Sequence, residues 1–456
     1  MPPGRLMAAS IRRARQRTAV RTMPAMSGAE PSARDRFLGL FALIVAGEMI
    51  FSLPFHLPRY FRPSVLETFG LSNAELGDIF AVYGVTAMLA YFPGGTLADR
   101  YPARRLMCAS LLATALGGLW LVTLPGPGTL ALLYGWWGVT SILLFWAAMI
   151  RATREWGGSA AQGRAFGLLD GGRGLAAASF ATLAVWCFTG FLPEYEYEIG
   201  YAERARALRA VIGFYCVMTT LAALLVWRFL PERAPLGARG DGLVRGHVGA
   251  VLRRPLVWLQ ALVVVCAYCG YKGLDNYALY AYDVLGMGEA RAAAFTAGAA
   301  WLRPLAAVAA GLAADRYGAA RTVLALFAGL LGCYVLLAVL DAVPAFIGLV
   351  YASLIVSFAA VFALRGVYFA LLEQTRVPAH LTGTAVGLVS VVGFTPDIFF
   401  APLAGRLLDA APGMDGHQDY FLLLATIAVV GLVVAALLSR GVRASAIDAT
   451  RGVATP

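Results

Sequence analysis

Lysine is almost missing from this 456-residue sequence: Lys272 stands alone against 36 arginines. Charge of either sign is scarce, at 14% of residues, while 60% are hydrophobic and the mean hydropathy is +0.71. So little polar surface cannot coat a soluble globule of this size, which excludes a cytosolic fold. No phosphate-cradling glycine loop, metal-ligand cluster or Ser/His/Asp arrangement is present, and the four histidines, His56, His247, His380 and His417, fall at the ends of apolar runs or between them. An enzyme, a resident cofactor or metal, a nucleotide energy source and a nucleic-acid partner are therefore not expected. The six cysteines all lie inside apolar runs without paired spacing outside them, so disulfides are not expected either, and Cys266 and Cys269 read as packing thiols.

What the chain has is long apolar runs punctuated by Gly and Pro. Inside lipid every backbone amide needs an internal partner, so such runs read as helices. Twelve spans can be drawn, the first at 37–56, the second at 75–94, the seventh at 255–276 and the last at 420–439. The fold class expected is an all-α membrane protein of twelve transmembrane helices in two pseudo-symmetric six-helix bundles, 37–230 and 255–440. An Arg-rich tail at 1–36, a linker at 231–254 and a tail at 441–456 complete the division. The first tail holds eight arginines and two acids with no apolar core or cleavage site after it, so a solvated tail is expected rather than a secretory signal. A translation start at Met23 or Met26 is the other reading. Placing both termini in the cytoplasm assigns 25 basic residues to that side and 7 to the opposite one.

One stretch occurs twice. Gly95, Asp99, Arg100, Tyr101, Ala103 and Arg105 return at Gly311, Asp315, Arg316, Tyr317, Ala319 and Arg321, all displaced by 216 residues, as an internal duplication requires. Each copy is a polar hinge between two apolar runs. The pattern resembles the loop motif between helices 2 and 3, and again between helices 8 and 9, of the major facilitator superfamily of secondary transporters. Arg104 and Arg105 complete its first copy, while Ala320 replaces one of the two final arginines in the second. The resemblance covers about 37–440 and implies that Asp99 latches the two halves on the cytoplasmic side when the site faces outward. The plainer alternative is that Asp99, Arg100, Arg104 and Arg105 only fix topology. Glu155 with Arg151, Arg154 and Arg164, and Glu373 with Arg376, occupy corresponding loops and read as further gate pairs.

Ionisable groups within spans are costly and tend to face a cavity, so they point to function. Glu48 lies in helix 1, with Ser52 and Phe55 on its face. Asp170 and Arg173 sit three apart in helix 5, either as a self-neutralising pair or as site residues. In helix 7, Tyr268, Lys272 and Asp275 share a face. An amine can give up its proton when desolvated, which a guanidinium effectively cannot, so Lys272 reads as an anion or proton site, or else as a residue snorkelling to the outer surface. Arg303 lies near the middle of helix 8 before Pro304, and its fork suits a carboxylate, phosphate or nitrate. Asp397 in Thr395-Pro396-Asp397 of helix 11 can carry a proton or neutralise Arg303. Arg365 and Arg228 read as snorkelling at helix ends.

The segment Arg303-Pro304-Leu305 leading to Ala314-Asp315-Arg316 is similar to helix 8 of the nitrate/nitrite porters of that superfamily, where the arginine binds the anion. Tyr91 stands where those porters carry a second arginine, and their helix 5 glycine-asparagine signature is missing. The main reading is a monomeric proton-coupled symporter of a small anion in a bacterial inner membrane. Arg303, Lys272, Arg173, Tyr268 and Tyr91 bind substrate in this reading, while Glu48, Asp170, Asp275 and Asp397 carry protons. A drug or metabolite antiporter is the alternative, although helix 4 has no arginine before Arg151 and helix 5 has Gly-Gly-Arg without proline. A membrane sensor that binds ligand without transport is a third reading.

Overall fold

The computed structural model describes residues 32–158, 162–193, 199–232, 245–371, 377 and 381–453. Glu373, Arg376 and half of the expected 231–254 linker lie outside the described residues. The chain divides into two units, Met1–Phe37 and Leu38–Pro456. In the first, the Ser32 hydroxyl accepts from the Asp35 N–H at 3.1 Å, the usual satisfaction of a helix's free first donors. Everything below concerns the second unit.

All regular structure among the described residues is helical. The first span breaks within its length. Helix α1 (Ala33–Met49) is followed by a π-helical turn (Ser52–His56) and by α2 (Leu57–Tyr60), bent by 42° from α1. The break follows from Pro54, which has no N–H to donate, so the ladder widens and His56 N donates to the Phe51 carbonyl five residues back, at 3.3 Å. Helix α3 (Arg62–Phe69) continues the run to Gly70, whose φ of 61° ends it in the left-handed region. Apolarity alone stopped the expected span at residue 56. The helical turns beyond it bury Arg59 at 7% and Arg62 at 3% exposure, where the sequence suggested a basic outer loop.

The remaining helices are α4 (Asn73–Arg100), α5 (Ala103–Leu121), α6 (Pro127–Val139) with a π-helical continuation into α7 (Ala147–Gly157), α8 (Gln162–Thr189), α9 (Tyr201–Phe229) and α10 (Arg245–Leu252). They continue as α11 (Pro255–Gly273), α12 (Tyr277–Asp283), α13 (Glu289–Ala299), α14 (Leu302–Tyr317), α15 (Ala319–Val339), α16 (Ile347–Val367), α17 (Thr382–Gly393), α18 (Pro396–Ala410) and α19 (Met414–Val453). Nine helices among the described residues are long and apolar enough to cross a bilayer, or ten if the bent first span counts as one. All twelve expected runs contain helix. The shortfall lies in α5, which opens on Arg104 and Arg105, and in α8, which carries Arg164, Asp170 and Arg173. Large apolar side chains such as Trp186, Phe92, Leu132 and Leu305 stand 69–76% exposed, as a lipid-facing surface requires.

Three further breaks position the site. A short 3-10 turn (Leu274–Asn276) joins α11 to α12, so the seventh span runs from Pro255 to Asp283 and Lys272 sits well inside it. Pro304 deprives the Ala300 carbonyl of its usual donor, and Arg303 N bonds there instead at 3.1 Å, bending the chain between α13 and α14. Pro396 opens α18 and sets Asp397 in its first turn.

Helices α4 and α18 meet backbone to backbone along their halves remote from the Asp99 hinge, because glycines face the contact. A methyl at Gly77, Gly84 or Gly405 would fall 2.3–2.5 Å from a main-chain oxygen of the other helix. At the same end, Asp409 accepts from the N–H groups of Asn73 at 3.1 Å and Ala74 at 2.7 Å. A carboxylate is favoured there, at the positive N-terminus of a 28-residue helix. Arg406 and Asp78 pair at 2.9 Å, Arg204 and Glu289 at 2.7 Å, and Ser64 also donates to Glu289. The first and second halves of the chain are thus joined at the end remote from the Asp99 and Asp315 hinges.

Candidate functional site

Two carboxylates organise the buried charges. Glu48, 2% exposed, accepts from Arg173 Nε at 3.1 Å and Arg303 Nη1 at 3.0 Å, and His56 Nε2 lies 3.3 Å away. Asp275, 4% exposed, accepts from Arg59 Nε at 2.5 Å and lies 3.1 Å from Lys272 Nζ. Removing charge from water costs several kcal/mol per ion, so each of these acids is tolerable only because it is held between two cations. Both clusters join helices from the two halves of the chain.

Asp397 is held more loosely. Lys272 Nζ is 3.5 Å from it, and the Tyr268 hydroxyl lies 3.1 Å from both of its oxygens. Its side chain remains 16% exposed, against 6% for Asp275.

Between these clusters opens a cavity of about 730 Å³ of unfilled space, the open solvent at its mouth included. Its walls carry Glu48, Arg59, Arg173, Lys272, Arg365 and Asp397. Aromatic rings fill the intervals, among them Phe55, Tyr91, Trp146, Tyr268, Tyr271 and Phe394. Lys272 Nζ stands 4.2 Å from the Phe55 ring centre, and Tyr268 packs edge to face on Phe394 at 4.9 Å. A second, smaller crevice between Glu48, His56, Arg59 and Arg303 has room for about one water molecule. Two polar atoms at this second site, His56 Nδ1 and Arg303 Nη2, have no hydrogen-bond partner among the described residues.

Of the residues picked out by sequence, Glu48, Arg173, Tyr91, Tyr268, Lys272 and Asp397 all reach the larger cavity, and Asp275 stands behind it on Arg59 and Lys272. Two of the pairings considered, and the snorkelling readings of Lys272 and Arg365, are not what the geometry shows. Arg303 is neutralised by Glu48, not Asp397, and lines the small crevice. Asp170 and Arg173 do not neutralise each other. Arg173 turns to Glu48, while Asp170, its side chain 49% exposed, comes within 3.9 Å of Arg303 Nη2. Lys272, 3% exposed, does not snorkel, since its span continues past it and two carboxylates hold it inside. Arg365 does not snorkel either: its guanidinium carbon lies 3.9 Å from the Tyr271 ring centre, facing the cavity.

Sequence reasoning missed Arg59, His56 and Tyr271. Arg59 was placed beyond the first span and His56 at its last residue, and only the three prolines 54, 58 and 63, which start helical turns as readily as they end them, hinted otherwise. Tyr271 neighbours Lys272 and carried no signal of its own. Its hydroxyl accepts from Arg59 Nη1 at 2.8 Å.

At the opposite end of the bundle, Asp99, Arg100, Asp315, Arg316 and Arg321 are exposed, and Gly95 and Gly311 have nothing within 4 Å of an added methyl. The expected pairing of Asp99 across the halves is not made among the described residues. The ion pairs that join the two halves lie inside the bundle and at its far end. Arg104 and Arg105 bind Glu232 instead, Arg105 Nε at 2.5 Å. Arg151 bonds Glu155 at 2.7 Å and donates to the Ala98 carbonyl at 2.5 Å, tying the hinge to α7.

Comparison with known proteins agrees with this architecture. The chain is 27% identical to the inner membrane protein YqcE of Escherichia coli over 88% of its own length and 93% of that protein's. It is 27% identical to the inner membrane protein YihN of the same organism, over 88% and 94%. A variant of the nucleoside transporter NupG superposes with a TM-score of 0.69 at 13% identity, covering 88% of this chain and 99% of that one. A bacterial homologue of the human lysosomal transporter Spinster, in an inward-facing and unoccupied conformation, gives 0.68 at 14%, covering 91% and 98%. The family model of the Major Facilitator Superfamily matches residues 37–401. With that match over most of its length and the helical fold to go with it, the chain belongs to the Major Facilitator Superfamily and is a membrane transporter, not an enzyme.

Proposed function

We propose that this transporter carries a small anion through the aromatic-walled cavity by alternating access, in symport with protons. The observation behind this reading is the charge of the cavity wall, which carries the cations Arg59, Arg173, Lys272 and Arg365 against the acids Glu48 and Asp397. Adding the groups just behind the wall, Arg303 on one side and Asp275 and Asp170 on the other, leaves one positive charge in excess. A buried uncompensated charge is costly, and a bound monoanion removes that cost.

Asp397 is the proton carrier in this scheme because it is the acid most weakly held by cations and open to the cavity. When it takes a proton, Lys272 keeps Asp275 as its counter-ion, and the cavity gains the positive charge that draws in the anion. Glu48, Asp170 and Asp275 then serve to hold the cations in place. Arg303 and Arg173 bind the anion at one remove, by setting the potential around Glu48. Residues 37–230 and 255–440 act as the two rocking bodies, and the hinge loops at Asp99 and Asp315 lie on the cytoplasmic side of a bacterial inner membrane with both termini. In this assignment the conformer is sealed outside by α4, α18 and Glu289, and open inside.

The test uses the full-length protein in liposomes loaded with a pH-sensitive dye. Sodium nitrate, gluconate and hippurate are added in turn outside. Inward proton movement with at least one of them, absent from empty liposomes and abolished in Asp397→Asn, is the expected result. Proton efflux driven by the cation tetraphenylphosphonium, with none of the anions effective, overturns it in favour of a drug antiporter.

A further inference from the structure

We infer that Arg365 and Tyr271 form an anion subsite selective for a monocarboxylate carried on a planar ring. The inference rests on the anion reading above and narrows the substrate class. Arg59, Arg173 and Lys272 each already hold a carboxylate at 2.5–3.1 Å. Arg365 holds none, and no hydrogen bond from its guanidinium is made among the described residues, yet it lines the cavity. Its plane is anchored instead by Tyr271, 3.9 Å from guanidinium carbon to ring centre. Tyr271 is fixed in turn by its hydrogen bond from Arg59 and by stacking with Tyr268 at 5.8 Å and 28° between planes.

A guanidinium held over a ring keeps its in-plane N–H fork free, and that fork matches the two oxygens of a carboxylate. Two guanidiniums lie close to the same ring, since the Arg59 carbon is 4.3 Å from its centre. The site is thus set in a strongly positive position that an amine or neutral sugar would not fill. Between the charged groups the wall is aromatic: Phe55, Tyr91, Trp146, Tyr268 and Phe394. A bare inorganic anion would leave these faces wet. A ring attached to the carboxylate would stack on them, and base–aromatic stacking in other proteins shows that such contacts raise affinity by about tenfold or more per ring.

Equilibrium binding of radiolabelled benzoate, acetate and benzamide to detergent-purified full-length protein at pH 7.5 tests this. Benzoate is expected to bind at least tenfold more tightly than acetate, which lacks the ring, and than benzamide, which lacks the charge. Arg365→Gln should weaken benzoate at least thirtyfold and leave benzamide unchanged, Arg365→Lys should lose about tenfold by keeping charge without the fork, and Tyr271→Leu should erase the preference for benzoate over acetate. Thermal unfolding of each variant within a few degrees of the parent establishes that it is folded, and Arg228→Gln, on the exposed face of α9, should bind as the parent does. Equal binding of acetate and benzoate, or benzoate binding indifferent to Arg365→Gln, overturns the subsite while anion-coupled proton movement still upholds transport. Binding of no anion by the parent protein overturns both.

Discussion

Replacing Gly84 by alanine should open the sealed end of the transporter. A methyl at that position would lie 2.5 Å from the Asp397 carbonyl oxygen and 2.6 Å from its carbon. Ordinary contact distances are about 3.5–4.0 Å, so α4 and α18 must part by about 1 Å. The obstacle is main chain, which has no rotamer to offer. Alanine also favours the helix over glycine by about 1 kcal/mol, whichever way the halves face. That gain is common to both conformers and cancels, whereas an overpacking penalty of about 1–3 kcal/mol falls only on the one in which the helices touch. At 1.4 kcal/mol per tenfold, the equilibrium moves about 5- to 150-fold away from the sealed arrangement. Spin labels at exposed Glu67 and Asp415, on the two halves at the end remote from the Asp99 hinge, would read this as a second, longer distance. Gly213→Ala, at a place with nothing within 4 Å, should leave the distribution as it was. A folded Gly84→Ala protein with the parent's distance distribution would refute the idea that glycine contacts hold this end shut.

Asp397→Asn should abolish proton movement while allowing anion exchange between equal pools, measured by counterflow; pH-driven uptake that survives the change assigns coupling elsewhere. Arg59→Gln and Asp275→Asn should each weaken the sealed conformer by about 3–5 kcal/mol, as breaking a buried pair does. In a double-mutant cycle on the same distance measurement their effects should be strongly non-additive, and simple additivity would mean that the pair does not act as one. Asp99→Asn should insert and fold normally yet transport more slowly, because a conformer that is closed on its side needs the carboxylate; parental uptake rates would reduce the hinge to a topology signal. Glu232→Ala should change stability by less than about 1 kcal/mol, since the pairs with Arg104 and Arg105 are solvent-exposed; a larger loss in chemical denaturation would contradict this.

The fold was legible because hydropathy and the 216-residue repeat are properties of the sequence taken one stretch at a time. The charged residues of the site were legible individually for the same reason: an acid or base within an apolar run stands out. Their pairings between helices were not, although Lys272 with Asp275, on one face of one span, was. Glu48 and Arg303 are 255 residues apart, and Lys272 and Asp397 belong to helices that only packing brings together, so helical spacing within one span could not match them. It led instead to Asp170 with Arg173, which share a helix and face different partners. Arg59 was hidden by proline, which lowers the apparent length of an apolar run without ending the helix. Arg365 was hidden by position, because distance from a helix end was used as a proxy for depth, and a cavity brings aqueous space to residues that lie far from either surface.

The ion pair between Arg59 and Asp275 spans 216 residues, the very displacement that relates the two hinge loops. In a symmetric ancestor made of two identical copies, a residue at this position would have met its own twin across the axis, arginine against arginine or aspartate against aspartate, and repelled it. Complementarity here could arise only after gene fusion let each copy mutate alone. This contact across the molecule is therefore one that no dimer of two identical halves could have had, and it ties these two halves specifically to each other.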